Sequence, residues 1–190
     1  MKLKPRFGID IDGTVTCPAT LIPHINKQYN TNITLEDVVE YDFLSAFKQP
    51  IDRQLFNAWF KEQEPFMYSV SELAENARTV LKSWQQTYEL YYISARGDNV
   101  LDITYNWFNE LDVPYDHIEL IGSHDKIGAA RKHEVDAFFE DKHDNAVMIA
   151  EELKIPVILF NTPYNQNAVP PSVIRVNNWI EANKWISKTF

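Results

Sequence analysis

The chain has 190 residues with 27 acidic against 18 basic side chains, a formal charge of −9, and it is 45% hydrophobic, 13% aromatic and 24% charged. That length and balance suit one globular domain with room for an insertion and carry no disorder signature. An acidic surplus with no basic face excludes a nucleic-acid polymer as partner.

The single cysteine, Cys17, allows no internal disulfide. It suits a reducing cytosol and reads as a packing side chain. The basic start Met1-Lys2-Leu3-Lys4-Pro5 is not followed by an apolar signal core, and no apolar run approaches membrane-spanning length. The expectation is a soluble, cytoplasmic protein with no membrane partner.

Lys4 to Ile11 reads as the first strand, buried at Phe7, Ile9 and Ile11, and it runs into Asp10-Ile11-Asp12-Gly13-Thr14. Side chains alternate along a strand, so Asp10 and Asp12 point the same way. Two crowded carboxylates losing hydration require a cation or a positive neighbour. Gly13 permits a tight turn and Thr14 offers a hydroxyl.

From Val15 to about Tyr68 the pattern turns helical. Leu21–Asn26 and Thr34–Val39 read as short helix pieces, the second capped by Thr34. Ile51–Lys61 is a third, with Leu55, Phe56, Trp59 and Phe60 at helical spacing. Glu64-Pro65-Phe66 is expected to end this block. Ser71 to Gln86 reads as one amphipathic helix, its apolar face formed by Leu73, Ala74, Ala77, Val80, Leu81 and Trp84.

Beyond it, strands and helices alternate. Tyr88–Ile93 is a strand ending at Ser94-Ala95-Arg96, and Asn99–Leu111 a helix. Ile118–Ile121 is a strand and Lys126–His133 a short helix. Ala137–Phe139 is a strand stopping at Glu140-Asp141-Lys142-His143-Asp144, followed by a helix from Asn145 to Leu153. Val157–Phe160 and Val173–Val176 are further strands, and Trp179–Ser187 a closing helix. This alternation predicts an α/β fold, a parallel sheet with helices on both faces. In such sheets ligands bind beyond the carboxyl ends of the strands, where the polar clusters fall.

Asp10-Ile11-Asp12-Gly13-Thr14, the strand-terminal Ser94, Lys126 and Glu140-Asp141, in that order, resemble the four motifs of the haloacid dehalogenase-type (HAD-type) phosphatases. The resemblance covers the whole chain. It implies a three-layer Rossmann-like core over residues 1–14 and 69–190, with a small helical cap, residues 15–68, inserted after the first strand. It implies Asp10 as the nucleophile that forms an aspartyl-phosphate and Asp12 as the acid/base. Mg²⁺ would sit on Asp10, the backbone carbonyl of Asp12 and Asp141. Ser94 would donate its hydroxyl to a phosphoryl oxygen, and Lys126 would neutralise charge there. Gly13, Thr14, Ala95 and Arg96 are the expected substrate contacts. Phosphoryl transfer to a carboxylate needs this mixture of nucleophile, donor and counter-charge.

Alternatives stay open around these positions. Ser94 also suits a helix N-cap. Lys126 has rivals in Arg131 and Lys132. Glu140 or Asp144 would assist the metal directly or through water, and His143 reads as a surface residue. The five histidines show no Cys/His zinc spacing. Arg96 is either a phosphate contact or an exposed turn residue.

Within that family the chain is most similar to the 5′(3′)-deoxyribonucleotidase-like nucleotidases, through Asp125-Lys126, Glu64-Pro65-Phe66, Pro163-Tyr164-Asn165 and Arg175-Val176 followed by Trp179. It departs from them in having Glu140-Asp141 for Asp-Asp and Ser94-Ala95-Arg96 for a Thr-Ser-type turn. The implied substrate is a small phosphorylated molecule, a (deoxy)nucleoside monophosphate, with a sugar phosphate or other small phosphate ester as the alternative. A phosphate-accepting regulatory module is the alternative of a different class. Tyr41, Phe43, Phe47, Trp59, Phe66 and Tyr68 are aromatic candidates for stacking on a base, or else core of the cap. The oligomeric state is open, a homodimer being one option.

Overall fold

A computed structural model describes residues 4–190; the basic start Met1–Leu3 lies outside the described residues. Six parallel strands, β1 (Arg6–Ile9), β2 (Glu89–Ser94), β3 (His117–Leu120), β4 (Ala137–Glu140), β5 (Val157–Phe160) and β6 (Val173–Val176), form one sheet in the order β3-β2-β1-β4-β5-β6. The sheet is the α/β one that strand–helix alternation predicts. β1 and β4 are adjacent at its centre, with Ile9 opposite Phe139, which sets Asp10 beside Glu140.

Period-two alternation sorts the strand residues between two helical layers. On one face Phe7, Ile9, Tyr92, Phe139 and Ile158 join Val80, Leu81 and Trp84 of α3 (Ala77–Trp84), Trp107 and Phe108 of α4 (Leu101–Glu110), and Trp179, Ala182 and Ile186 of α7 (Trp179–Thr189). On the other, Ile93, Phe138 and Leu159 pack on Ala129 and Ala130 of α5 (Ile127–Lys132) and on Ala146, Ile149 and Ala150 of α6 (His143–Leu153). The core is therefore three-layered and Rossmann-like. Gly8 makes the central pairing tight, because a Cβ there would stand 2.4 Å from the Phe138 ring.

Three buried indoles find hydrogen-bond acceptors. Trp84 Nε1 donates to Asn183 Oδ1 at 2.7 Å, Trp107 Nε1 to the Ser71 carbonyl at 2.8 Å and Trp179 Nε1 to the Thr14 carbonyl at 3.0 Å. Each bond removes the penalty of burying a polar N–H.

Between β1 and α3 lie α1 (Ile22–Tyr29) and α2 (Arg53–Ser69), joined through 3₁₀ turns at Leu35–Asp37 and Phe43–Ala46. Ile22, Ile25, Ile33, Val38 and Phe56 give this segment an apolar cluster of its own. The Asp52 carboxylate caps α2 by accepting from Gln54 and Leu55 N–H.

Three local expectations are corrected here. Thr34–Val39 forms only one 3₁₀ turn, closed by the reciprocal Thr34–Asp37 capping box. Pro65 does not end the helical block, because α2 continues to Ser69 with Met67 and Tyr68 buried on its last turn. Burial of those two side chains outweighs the single hydrogen bond that proline cannot donate. The helix expected from Ser71 to Gln86 is formed only over Ala77–Trp84. The backbone of residues 72–74 is instead bonded to residues 15–17: Cys17 N–H donates to Glu72 O and Ala74 N–H to Val15 O, both at 2.8 Å. Among the described residues no helix is long and apolar enough to cross a membrane.

Candidate active site

The carboxyl ends of β1, β2 and β4 open into a cavity of about 410 Å³, roofed by the α1–α2 segment. That volume lies in the range of small-molecule sites. Asp10 follows directly on β1, its N–H bonded to the Phe139 carbonyl at 2.9 Å, and only 3% of it is exposed.

Lys126, at the N-cap of α5, is 2% exposed. Its Nζ lies 2.6 Å from Asp10 Oδ1 and 2.8 Å from Glu140 Oε2. Burial alone would lower the lysine's pKa, but the two carboxylates outweigh it and hold it above its ordinary value. Of the three basic candidates Lys126 is the one drawn to Asp10; Lys132 pairs with Glu119 on the surface. Alternation along β4 turns Glu140 toward α5. There its extra methylene reaches Lys126, and its other oxygen accepts from Lys142 N–H at 3.1 Å.

Asp10 is pushed up to about 7, first by burial and then by Glu140 and Asp12, with Lys126 opposing. Asp141 is also raised, by burial and by the charges of Glu140 and Asp10, while the Tyr164 hydroxyl pulls the other way. Two carboxyls that both resist ionisation mark a place where positive charge is missing.

The atoms support the same reading. Carboxylate oxygens of Asp10, Glu140 and Asp141 lie within 4.8 Å of one another. Asp141 Oδ2 accepts from Tyr164 OH at 2.6 Å, whereas Asp141 Oδ1 is buried without a partner. A hard divalent cation, which prefers oxygen, fits this donor set. Glu140 is less available, being spent on Lys126 and Lys142. Gly13, at φ +80°, closes the turn beneath: a Cβ there would meet Asp141 Oδ2 at 2.2 Å.

Asp12 stands at the mouth, its side chain 27% exposed. Arg96 takes both its oxygens in a fork, Nε to Oδ2 at 2.9 Å and Nη2 to Oδ1 at 2.7 Å. The arginine is not an exposed turn residue; it lines the cavity with its guanidinium held on Asp12. It is 3% exposed, bonds Thr104 Oγ1 through Nη1, and stacks 4.0 Å from the Tyr68 ring centroid. Ser94, at the end of β2, lines the cavity and its Oγ accepts from Arg96 N–H at 3.2 Å.

Gly13, Ala95, Phe43 and Tyr68 also line the cavity. Thr14 and Asp144 do not. Thr14 is fully buried beneath the turn, its Oγ1 without a hydrogen-bond partner. The Asp144 side chain is 76% exposed and bonds His143.

Of the aromatic candidates, Tyr41, Phe43 and Tyr68 face the cavity. Phe47 and Trp59 pack in the cluster between α1 and α2, and Phe66 is exposed and perpendicular to the His24 ring. Tyr164 and Asn165, seen in the sequence only as part of the Pro163-Tyr164-Asn165 resemblance and given no role there, are also at the site. Asn165 Nδ2 bonds the carbonyls of Asp141 and Phe160, at 2.6 and 2.7 Å, and so fixes the loop that presents Tyr164.

No family model matches the chain. It is 47% identical over 188 residues to "Putative nucleotidase BH1399" of Halalkalibacterium halodurans, the match covering 99% of this chain and 95% of that protein. In fold it is similar to the haloacid dehalogenase-like hydrolase SP0104 of Streptococcus pneumoniae, with TM-score 0.67, 14% identity and coverage of 98% and 100% of the two chains. It is similar also to the "putative HAD-hydrolase YfnB" of Bacillus subtilis bound to magnesium, with TM-score 0.64, 11% identity and the same coverage. By its 47% identity over nearly the whole length, the chain belongs to the same family as the nucleotidase BH1399, and it is built on the fold of the haloacid dehalogenase-like hydrolases.

Proposed function

We propose that the protein is a Mg²⁺-dependent phosphomonoesterase that cleaves nucleoside monophosphates through an aspartyl-phosphate on Asp10. The observation that carries this reading is the pairing of Asp10 Oδ1 with Lys126 Nζ at 2.6 Å on the floor of the cavity. It leaves the other carboxylate oxygen of Asp10 for attack on phosphorus while Lys126 offsets charge beside it.

In the first half-reaction an Asp10 oxygen forms a bond to phosphorus and the ester P–O bond breaks. Asp12 gives its proton to the departing alcohol oxygen. In the second, Asp12 takes a proton from water, whose oxygen attacks phosphorus; inorganic phosphate leaves and the Asp10 carboxylate is restored. Both Asp12 oxygens are engaged by Arg96, so substrate entry has to loosen that fork before a proton can be held there. Ser94 donates its hydroxyl to a phosphoryl oxygen. Mg²⁺ would be held by Asp10, Asp141 and the backbone carbonyl of Asp12, and when bound supplies counter-charge for the phosphoryl oxygens.

Residues 15–68 act as the cap that excludes water, and Tyr41, Phe43 and Tyr68 on its inner side supply the apolar surface on which a base can stack. The name of the BH1399 relative supports a nucleotide as substrate.

A screen of nucleoside monophosphates and sugar phosphates, with Mg²⁺ and with EDTA, tests the reading. It expects release of inorganic phosphate from nucleotides, lost in EDTA. Turnover confined to sugar phosphates would transfer the site to the other substrate class. A stable phosphoryl group on Asp10 without turnover would make the protein a phosphate-accepting module.

A further inference from the structure

At the β3 edge of the sheet, away from the cavity, a second group of ligating side chains converges. His117 and Glu119 are two apart on β3 and so share a face. His133, at the C-cap of α5, folds back onto them. His133 Nε2 lies 2.5 Å from Glu119 Oε2, His117 Nε2 lies 3.7 Å from the same oxygen, and the three ligand atoms all fall within 4.8 Å of one another.

The two imidazoles sit 4.6 Å apart, and Tyr91 flanks both. Arg6 Nη1 donates to the His133 carbonyl at 3.1 Å, holding that backbone in place. His117 is opposite Tyr91, three residues before Ser94 on β2, so the group is about 10 Å along the strands from the catalytic end.

We infer that His117, Glu119 and His133 form a surface site for a borderline divalent transition ion of the zinc class, with a fourth position open to water or an external ligand. Two nitrogens and one carboxylate match the donor preference of Zn²⁺ and not that of Mg²⁺. Tetrahedral zinc at its usual bond lengths needs donors about 3.3 Å apart, which side-chain shifts of roughly 1 Å supply here. The rival occupant is Lys132, whose Nζ stands 3.1 Å from Glu119 Oε1. Its side chain is 63% exposed and free to swing away.

The ion would tie β3 to the C-terminal end of α5. The N-cap of that helix is Lys126, so the ion would brace the helix that delivers the lysine to Asp10. The spacing 117, 119, 133 carries no Cys/His zinc signature, and only the fold makes it a set.

Titrating ZnCl₂ into the full chain by calorimetry, in excess Mg²⁺ to keep Asp10 and Asp141 out of the count, tests this site. One Zn²⁺ per chain is expected to bind. In the double variant His117→Gln/His133→Gln the affinity should fall by more than the 10–100-fold that even outer-shell changes typically cost. X-ray absorption of the zinc-loaded wild type needs no variant and should show imidazole scattering. Absence of zinc uptake, an oxygen-only shell, or equal affinity in the double variant would overturn the assignment.

Discussion

Arg96 and Asp12, 84 residues apart in sequence, meet in a two-pronged ion pair of 2.9 and 2.7 Å. The planar fork fixes direction as well as charge. Arg96→Lys keeps the charge and loses the fork, so it separates the two contributions. In steady-state assays kcat should fall roughly 10–100-fold, short of the roughly 10²–10⁴-fold that one acid/base group supplies because the acid is misplaced and not removed, and the unfolding midpoint should also drop because the buried guanidinium bonds Thr104 and stacks on Tyr68. Unchanged kcat would show that Asp12 needs no such positioning.

Burial raises Asp10 to about 7 in the metal-free protein, against about 3.9 in an unfolded chain. The folded state then binds a proton more tightly than the unfolded one. Its contribution to stability is present at low pH and is lost as pH climbs through 7. Thermal unfolding in EDTA should therefore show a midpoint falling between pH 5 and 8. Saturating Mg²⁺ should abolish the fall. Asp10→Asn should lessen it, with Asp141 still held above its ordinary range by burial, while eliminating turnover in a folded protein.

Lys126 neutralises two buried carboxylates at once. Lys126→Met leaves Asp10 and Glu140 facing each other uncompensated, a loss on the order of 3–5 kcal/mol. Denaturant unfolding in EDTA measures it. Part of the loss should return with Mg²⁺. If the variant is as stable as wild type without metal, the lysine is not the counter-ion proposed.

The Tyr164 hydroxyl fills one lone pair of Asp141 and leaves Oδ1 without a protein partner. Tyr164→Phe removes only that bond. The Mg²⁺ concentration for half-maximal activity should rise about tenfold or more, the usual cost of losing an outer-shell contact, with kcat at saturating metal nearly retained. Gly13→Ala is harsher. Its Cβ would strike the same carboxylate and sit at φ +80°, so both metal response and stability should drop.

The sheet was legible because β-branched and aromatic runs such as Tyr88–Ile93 and Val157–Phe160 are separated by helical periods of conventional length. What failed were places where distant backbone groups decide. Residues 71–76 fit a helical period, yet Glu72 and Ala74 bond to Cys17 and Val15. Pro65 is a breaker by local rule, overridden by the anchoring of Met67 and Tyr68. In the site, Asp10, Asp12, Ser94 and Asp141 stand at the ends of predicted strands, Lys126 was picked out by the family resemblance, and the structure gathers all five round one cavity. The partner of Arg96 could not be read, because nothing local distinguishes an arginine bound for a phosphate from one bound for a carboxylate. Tyr164 was visible only as part of the Pro163-Tyr164-Asn165 resemblance, without its bond to Asp141, and His133 carried no signal, since their neighbours come from other elements.

The bond from Trp179 to the Thr14 carbonyl spans 165 residues. The turn bearing the two aspartates therefore rests on a helix that is made some 165 residues after it. A nascent chain has the reactive carboxylates long before it has the indole that steadies them. Contacts of such separation also slow folding, so the turn under Asp10 and Asp12 is steadied only after α7 has been made and packed.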